Sequence, residues 1–107
     1  MIRLLQIEFK VSGQNIVRTD DKRVIRGTKG MLVCVFDLCK EWKNLDGIVA
    51  QFSNSYDFKN EHGCVVKNAR CNVPDEVTDS ETIYLRLYGK KGTALNVTKR
   101  VMIGQEV

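Results

Sequence analysis

The amino-acid sequence predicts an all-β fold, a small antiparallel two-sheet sandwich of about eight short strands with one or two short helical turns. Apolar and polar residues alternate with a period of two over several short segments, which is typical of half-buried strands. Turn residues separate these segments at short intervals. A chain of 107 residues has the size of one domain, residues 1–107, and buries enough surface for a core without disulfides.

The first half of the chain holds the clearest strand patterns. Residues 5–11 alternate Leu, Ile, Phe and Val with Gln, Glu and Lys, so they predict a strand with one buried face. Residues 31–36 are apolar without alternation, which is typical of a central strand covered on both faces. Shorter strands are predicted at residues 15–18, 23–26 and 47–53, each bounded by turn residues.

The second half continues the same pattern. Two short strands are predicted at residues 64–67 and 69–73. Residues 82–88 place Ile and Leu on one face of a strand and Tyr and Arg on the other. A tight hairpin follows at residues 89–92, where two glycines accept positive φ, and residues 95–103 form the last predicted strand.

Two helical turns are expected beside the strands. Trp42 and Leu45 stand three residues apart, a spacing that points both side chains inward from one turn. Pro74 lacks an N–H and ends its strand, so residues 75–77 start a second turn. We expect Trp42 to anchor the core, and an exposed ligand platform is the alternative. The predicted core residues are Phe9, Phe36, Trp42, Leu45, Phe52 and Leu85.

Positive charge is concentrated near the N-terminus. The net charge of +4 is small for a dedicated nucleic-acid binder. Two interpretations of the basic segment stay open: a solvated hairpin that protects a sheet edge, or a patch that faces phosphate or acidic groups. No aromatic residues interleave with these cations to stack bases, which favours the first interpretation. The cations of the basic segment are Arg18, Lys22, Arg23, Arg26 and Lys29.

The sequence offers little for catalysis or for metal binding. Its four cysteines include no Cys-x-x-Cys pair, and its one histidine, His62, stands alone in a predicted loop with nothing to orient its ring. We therefore expect no enzyme, no metal and no cofactor. We expect reduced thiols, with Cys34 and Cys71 as small core residues, and a disulfide is the alternative.

No segment predicts a membrane partner or a secretion signal. The longest apolar run, residues 31–36, is too short to cross a bilayer. The first residues lack the apolar stretch of a signal peptide, so we expect synthesis of the chain to end in the cytosol.

One stripe of residues is the best candidate for an exposed contact surface. Tyr84, Arg86 and Tyr88 share one face of a predicted strand. Tyrosine and arginine are enriched at binding hot spots, which favours an interface. Ordinary cross-strand pairing with the last strand is the alternative interpretation. The predicted contact surfaces are therefore this stripe and the basic segment.

The order of motifs resembles a β-sandwich domain of virion structural proteins, found in head-fibre, tail and baseplate components of phages that infect Gram-positive bacteria. The similarity runs over nearly the whole chain and includes Phe36, Leu45, Ala50 and Phe52 between its longer motifs. The longer motifs are Phe9-Lys-Val-Ser-Gly-Gln14, Arg18-Thr-Asp20, Glu41-Trp42, Cys71-Asn-Val-Pro74-Asp-Glu-Val77 and Tyr84-x-x-x-Tyr-Gly89. The resemblance implies an immunoglobulin-like sandwich with a docking role and no catalysis.

The resemblance also implies partners and a location. The expected partners are other virion proteins, including further copies of the same chain, within a virion assembled in the host cytoplasm. One alternative function is a carbohydrate- or cell-wall-binding module for host attachment, which would use Tyr56, Phe58, Tyr84 and Tyr88 as exposed aromatic residues. Another is a small nucleic-acid-binding β-barrel that uses the basic segment, although nucleic acid is the least expected partner.

Overall fold

The computed structural model describes residues 4–106 of the chain. Within these residues, ten strands form two sheets. The predicted all-β two-sheet fold is confirmed. One helical turn, α1 (Lys40–Lys43), and one 3₁₀ turn (Asp75–Val77) accompany the strands. No helix within residues 4–106 is long and apolar enough to cross a membrane. The strands are β1 (Leu5–Ser12), β2 (Asn15–Arg18), β3 (Val24–Ile25), β4 (Leu32–Leu38), β5 (Gly47–Ser53), β6 (His62–Val65), β7 (Arg70–Asn72), β8 (Thr82–Lys91), β9 (Ala94–Val97) and β10 (Val101–Glu106).

The strands divide between a four-stranded and a six-stranded sheet. The four-stranded sheet has the order β2-β1-β4-β7. The six-stranded sheet has the order β3-β10-β8-β5-β6, and β9 pairs with the C-terminal part of β8. The inward side chains of both sheets share one hydrophobic core, which is the arrangement expected of a two-layer fold.

Two strand pairs are parallel, so the predicted purely antiparallel arrangement is wrong. β1 pairs in parallel with β4, from Leu5 opposite Leu32 to Val11 opposite Leu38, and β10 pairs in parallel with β3. The connection between β1 and β4, residues 13–31, is long enough for the chain to cross over and return in the same direction. A period-two pattern looks the same in both directions, so it carries no information about strand direction.

The predicted last strand, residues 95–103, consists of two strands. Thr98 lies between them, and its hydroxyl accepts a hydrogen bond from the N–H of Leu87 at 2.9 Å. The N–H of Thr98 donates to the carbonyl of Leu87 at 3.0 Å, and the N–H of Lys99 donates to Gln14 at 2.8 Å. These bonds interrupt the strand, so β9 pairs with the end of β8 and β10 with its beginning.

Trp42 is fully buried and joins the two sheets. Its indole Nε1 donates a hydrogen bond to the carbonyl of Gly13, after β1, at 2.7 Å. Its ring lies against Gly89 in β8, where an added Cβ would come within 2.7 Å of Trp42 Cζ3 and would also overlap Leu45. The predicted hairpin role of Gly89 is therefore wrong. The turn begins at Gly92, with a φ of +58°, and Gly89 leaves room for the indole.

The other predicted core residues also lie between the sheets. Phe9, Phe36, Phe52 and Leu85 are at most 3% exposed. The rings of Phe9 and Phe36 stack with their centroids 5.5 Å apart. Leu45 is half-buried and packs against the same core.

The four cysteines are free thiols. Cys34 and Cys71 are buried and stand directly opposite each other in the β4–β7 pair. A hydrogen bond with Cys71, together with burial, raises the pKa of the Cys34 thiol well above its ordinary value. A neutral thiol in this position packs like any small apolar side chain, in agreement with the prediction.

Candidate interaction surface

The outward side chains of the six-stranded sheet bring the predicted stripe onto one surface. Every second residue of β8 from Ile83 to Leu87 is fully buried, and Tyr84, Arg86 and Tyr88 alternate with them as half-buried residues on the opposite side. Strand pairing places residues of four other strands beside the stripe. We call the resulting surface the outer face; it comprises Val49, Gln51, Val65, Tyr84, Arg86, Tyr88, Lys90, Leu95, Val97 and Met102.

Arg86 is held flat at the centre of the outer face. Its Cζ lies 4.0 Å from the ring centroid of Phe58 and 5.1 Å from that of Tyr88. Its Nε donates to Oε1 of Gln51 at 2.9 Å, and a second guanidinium nitrogen lies 3.6 Å from the Glu61 carboxylate. These contacts fix the guanidinium before any partner arrives, and they leave it 22% exposed.

A loop at residues 54–61 folds back over one end of the outer face. Beneath it Ser53 is fully buried, and its hydroxyl donates to the carbonyl of Lys59 at 2.7 Å. Phe58, which has a positive φ of 55°, is buried beneath Arg86. Phe58 is therefore not the exposed aromatic residue that the carbohydrate-binding alternative expected.

The same loop carries an aromatic cluster at its surface. Tyr56 is 64% exposed, and its ring meets the ring of Tyr84 edge to face, with centroids 5.8 Å apart. Arg100 Cζ lies 4.1 Å from the Tyr56 ring centroid, and its Nε donates to the Tyr56 carbonyl at 2.7 Å. Met102 stands opposite Tyr84 in β10 and is exposed. We call Tyr56, Tyr84, Arg100 and Met102 the tyrosine cluster.

The other end of the outer face is concave. A groove of about 790 Å³ is lined by Val49, Val65, Tyr88 and Leu95. Gly47 forms part of its floor, and the space where a side chain would stand there is open. We call this feature the aliphatic groove. It offers apolar walls and one tyrosine ring to whatever binds there.

The sequence interpretation did not identify the aliphatic groove. Val49, Val65 and Leu95 are all exposed, although each stands at an outward position where a polar residue is usual. The sequence contains a trace of this groove, because apolar residues break the alternation in segments such as Ile48-Val-Ala50. These residues could be assigned to an outward surface only once the structure showed which positions point outward.

In the basic segment, Arg18 is bound by its own chain. Its guanidinium pairs with the carboxylate of Asp20 at 2.9 Å. That carboxylate also accepts the backbone N–H groups of Glu8 and Lys22, both at 2.8 Å. Burial raises the pKa of Asp20, but the hydrogen bonds from Arg18, Glu8 and Lys22 outweigh it and lower the pKa to about 2. The pair fixes the turn after β2.

The other cations of the basic segment also bind within the molecule. Lys22 Nζ donates to the Gln6 carbonyl at 2.9 Å, and Arg26 Nε donates to the Asp79 carbonyl at 2.7 Å. Lys29 Nζ donates to Thr78 Oγ1 at 2.7 Å and lies 3.1 Å from the Asp79 carboxylate. The Arg23 side chain is 82% exposed and lies 3.7 Å from Glu106. These partners lie outside the outer face, so the two predicted surfaces do not merge.

His62 lies in a different setting from the one predicted. It begins β6 instead of standing in a loop, and its Nδ1 lies 3.2 Å from Glu76 Oε2. Both side chains line a shallow polar depression together with Ser55. The prediction that nothing orients the ring is therefore wrong. The Ser55 hydroxyl donates to the Asp57 carboxylate.

Comparisons with known proteins give no relative. The chain matches no family model, no curated protein and no solved structure. Within residues 4–106, no group of three or more His, Cys, Asp and Glu side chains is arranged to hold a metal ion.

Proposed function

We propose that the protein is a non-enzymatic docking module that binds other proteins through its outer face. We propose further that it serves as a phage virion structural component in a head fibre, neck, tail or baseplate. The virion setting comes from the motif resemblance between Phe9 and Gly89. The mode of action comes from one observation, which is that exposed apolar side chains are concentrated on the outer face.

Five of the eight most exposed large apolar residues within residues 4–106 lie on the outer face or on the loop that covers it. A sheet that only covers a core has a polar outer surface. An exposed apolar patch on a folded domain marks a binding surface, because leaving it in water is unfavourable. The five residues are Val49, Tyr56, Val65, Leu95 and Met102.

The polar residues of the outer face support the same proposal. Interface cores are enriched in tyrosine, methionine and arginine and poor in acidic residues. Tyr84, Arg86 and Tyr88 form the row of the outer face that lies on the central strand β8, and Arg86 is already ordered by Phe58 and Gln51. A side chain that is ordered in advance loses less conformational entropy when a partner binds.

Particle incorporation tests the docking function. The double substitution Tyr84→Ala and Tyr88→Ala removes two rings from the outer face and leaves the buried residues of β8 in place. We expect the variant to fold and to be lost from purified virions. Virion composition, measured by quantitative mass spectrometry, gives the readout, and near-ultraviolet circular dichroism of the purified chain reports folding.

A matched control lies on the opposite side of the molecule. Glu8→Ala with Lys10→Ala changes two exposed side chains on the outer surface of the four-stranded sheet. We expect this variant to be incorporated normally. Normal incorporation of a folded Tyr84→Ala/Tyr88→Ala variant would overturn the proposal that the outer face is the docking surface.

Carbohydrate or cell-wall binding is a second candidate, favoured by the exposed ring of Tyr56. Arg100 covers one face of that ring, and Arg86 lies over Tyr88. Few ring faces are therefore open for stacking on a sugar. Retention of the chain on purified cell walls, lost on Tyr56→Ala, would support this candidate.

The nucleic-acid alternative has less support. Arg18, Lys22, Arg26 and Lys29 already bind acceptors of their own chain. Titration of duplex DNA at increasing salt tests it, because phosphate binding weakens steeply as salt rises. Absence of binding at low salt removes this alternative.

A further inference from the structure

We propose that the outer face binds a second copy of this chain, in a symmetric dimer in which the end of the face that carries the tyrosine cluster lies on the end of the other copy that carries the aliphatic groove. The proposal rests on the proposed docking function, because it names the partner of the same surface. It follows from the shape of the outer face, from its strand register, and from its size.

The two features lie at opposite ends of one strand. The outward residues of β8 run from Tyr84, in the tyrosine cluster, to Lys90, beside the aliphatic groove. A rise of about 3.4 Å per residue separates these two residues by about 20 Å. The loop at residues 54–61 rises above the sheet at the Tyr84 end, and the floor is open at Gly47 at the Lys90 end. The outer face therefore carries a projection at one end and a recess at the other.

A two-fold axis connects the projection with the recess. The axis lies in the plane of the interface, runs across the strands and passes over Leu87, midway between Tyr84 and Lys90. Rotation about it lays one outer face on the other with the two β8 strands antiparallel, and brings each residue opposite a different residue of the second copy. Such isologous pairing is the usual symmetry of soluble dimers.

The strand register determines which rows of side chains meet. Tyr84 is flanked by Met102 on one side and by Ser53 on the other. Lys90 is flanked by Leu95 on the same side as Met102, and by Gly47 on the same side as Ser53. The rotation therefore sets Met102 against Leu95 of the second copy. It also sets the loop that covers Ser53 over the open floor at Gly47.

The central row, on β8 itself, is compatible with this arrangement. Arg86 comes opposite Tyr88 of the second copy, and Tyr84 comes opposite Lys90. Both are pairs of a cation with an aromatic ring, which attract one another. Glu61 beside Arg86 supplies the opposite charge at the centre, so the two Arg86 guanidinium groups do not meet without a counter-charge.

The outer face is large enough for a stable dimer. The molecule measures 41 × 31 × 19 Å along its principal axes, and the short axis is the direction in which the two sheets stack, since packed sheets lie only about 10 Å apart. The two longer axes then describe the sheet plane. A standard protein–protein interface buries about 800 Å² on each partner, which this plane accommodates.

Two charge substitutions test the pairing of Met102 with Leu95. Leu95→Glu changes the aliphatic groove, and Met102→Lys changes the tyrosine cluster. Sedimentation velocity over a concentration series measures self-association of the purified chain. We expect the unmodified chain to dimerise, and each single variant to weaken dimerisation by roughly a hundredfold, because an unpaired charge is then buried at the interface.

Mixing the two variants gives the sharper test. In a mixed dimer the introduced glutamate meets the introduced lysine, and the other half of the interface is unchanged. We therefore expect the equimolar mixture to form dimers although neither variant does so alone. Val17→Glu is the matched control, since Val17 is a similarly exposed aliphatic residue on the four-stranded sheet. We expect it to dimerise normally.

The outcomes separate this inference from the docking function. An unmodified chain that stays monomeric at all soluble concentrations would overturn the dimer, as would dimers that persist in both single variants. If the chain is monomeric but Leu95→Glu is lost from virions, the outer face binds another protein and the docking function stands. An unchanged far-ultraviolet circular dichroism spectrum and a cooperative unfolding transition establish that the variants are folded, because loss of the dimer by itself lowers the melting temperature.

Discussion

Arg18 in the basic segment and Arg86 on the outer face are both bound by partners of their own chain, but these partners differ in kind. Arg18 binds the carboxylate of Asp20, which is 4% exposed and also accepts two backbone N–H groups. Arg86 lies mainly on two aromatic rings, the Glu61 carboxylate is 3.6 Å away, and the Arg86 side chain is 22% exposed. An arginine that completes the hydrogen bonds of a turn stabilises the fold, whereas one that lies on rings shapes a surface for contact.

Both regions depend on the same core, so the largest expected effect comes from Trp42. We expect Trp42→Ala to lower the free energy of unfolding by about 3–5 kcal/mol, because it removes the largest fully buried side chain. Urea unfolding measures this loss. Trp42→Phe is the control and should cost less, since it keeps most of the apolar volume but loses the bond to Gly13. A loss below about 1 kcal/mol for Trp42→Ala would contradict the role of Trp42 as the core anchor.

The second effect tests the structural role of the basic segment. We expect Asp20→Asn to lower the free energy of unfolding by about 2 kcal/mol at neutral pH. This is the free energy that corresponds to lowering the pKa of Asp20 from 3.8 to about 2 when the chain folds. Because the folded pKa is the lower one, this stabilisation is complete above about pH 4 and is lost as the pH falls towards 2.

Unfolding free energies between neutral pH and about pH 2 check both parts of this prediction. The variant should lose less stability than the wild type over the acid range. Asp21→Asn is the matched control, because Asp21 is the exposed neighbour of Asp20, and it should change little. Equal acid sensitivity of the wild type and Asp20→Asn would show that the ion pair does not stabilise the turn.

The smallest effect on stability is expected at the outer face. We expect Arg86→Ala to lower the free energy of unfolding by about 1 kcal/mol, because it removes one hydrogen bond and two stacking contacts at a partly exposed site. Arg86→Lys should recover little of this, since an ammonium group lacks the planar guanidinium that lies on the rings. Urea unfolding of both variants provides the measurement.

Arg23→Ala is the control for this comparison of arginines. Arg23 is 82% exposed and its nearest carboxylate oxygen is 3.7 Å away, so its removal should leave stability nearly unchanged. If Arg86→Ala and Arg23→Ala proved equally harmless, the contacts around Arg86 would not order the outer face. The outer face would then not be ordered in advance of binding.

Much of the fold could be predicted because strand periodicity is a local property. The bounds of β2 and β5 agree with the predicted residues 15–18 and 47–53. The predictions failed where a bond to a distant residue decides the structure. Thr98 ends β9 through its hydrogen bonds with Leu87. The residues next to Thr98 in the sequence do not indicate that Leu87 is its partner.

The candidate surface was also predicted only in part, because the sequence reveals local alternation but not contacts between distant segments. Alternation along β8 was enough to place Tyr84, Arg86 and Tyr88 on one side. The aliphatic groove needs Leu95 from another strand beside Tyr88, and Phe58 reaches Arg86 only because its loop folds back. Such neighbours are set by strand pairing and loop course, which a single segment does not reveal.

The sequence by itself determined which side of β1 and of β8 faces the core, because alternation of apolar and polar residues acts within one segment. It also determined that Trp42 is buried, since a large apolar ring beside Leu45 has no favourable place in water. Only the tertiary structure decided that β1 and β4 run in parallel and that Gly89 makes room for the indole. It also decided that the basic segment binds its own chain while the outer face stays open. These features depend on contacts between residues far apart in the chain, and such contacts form only when the sheets assemble.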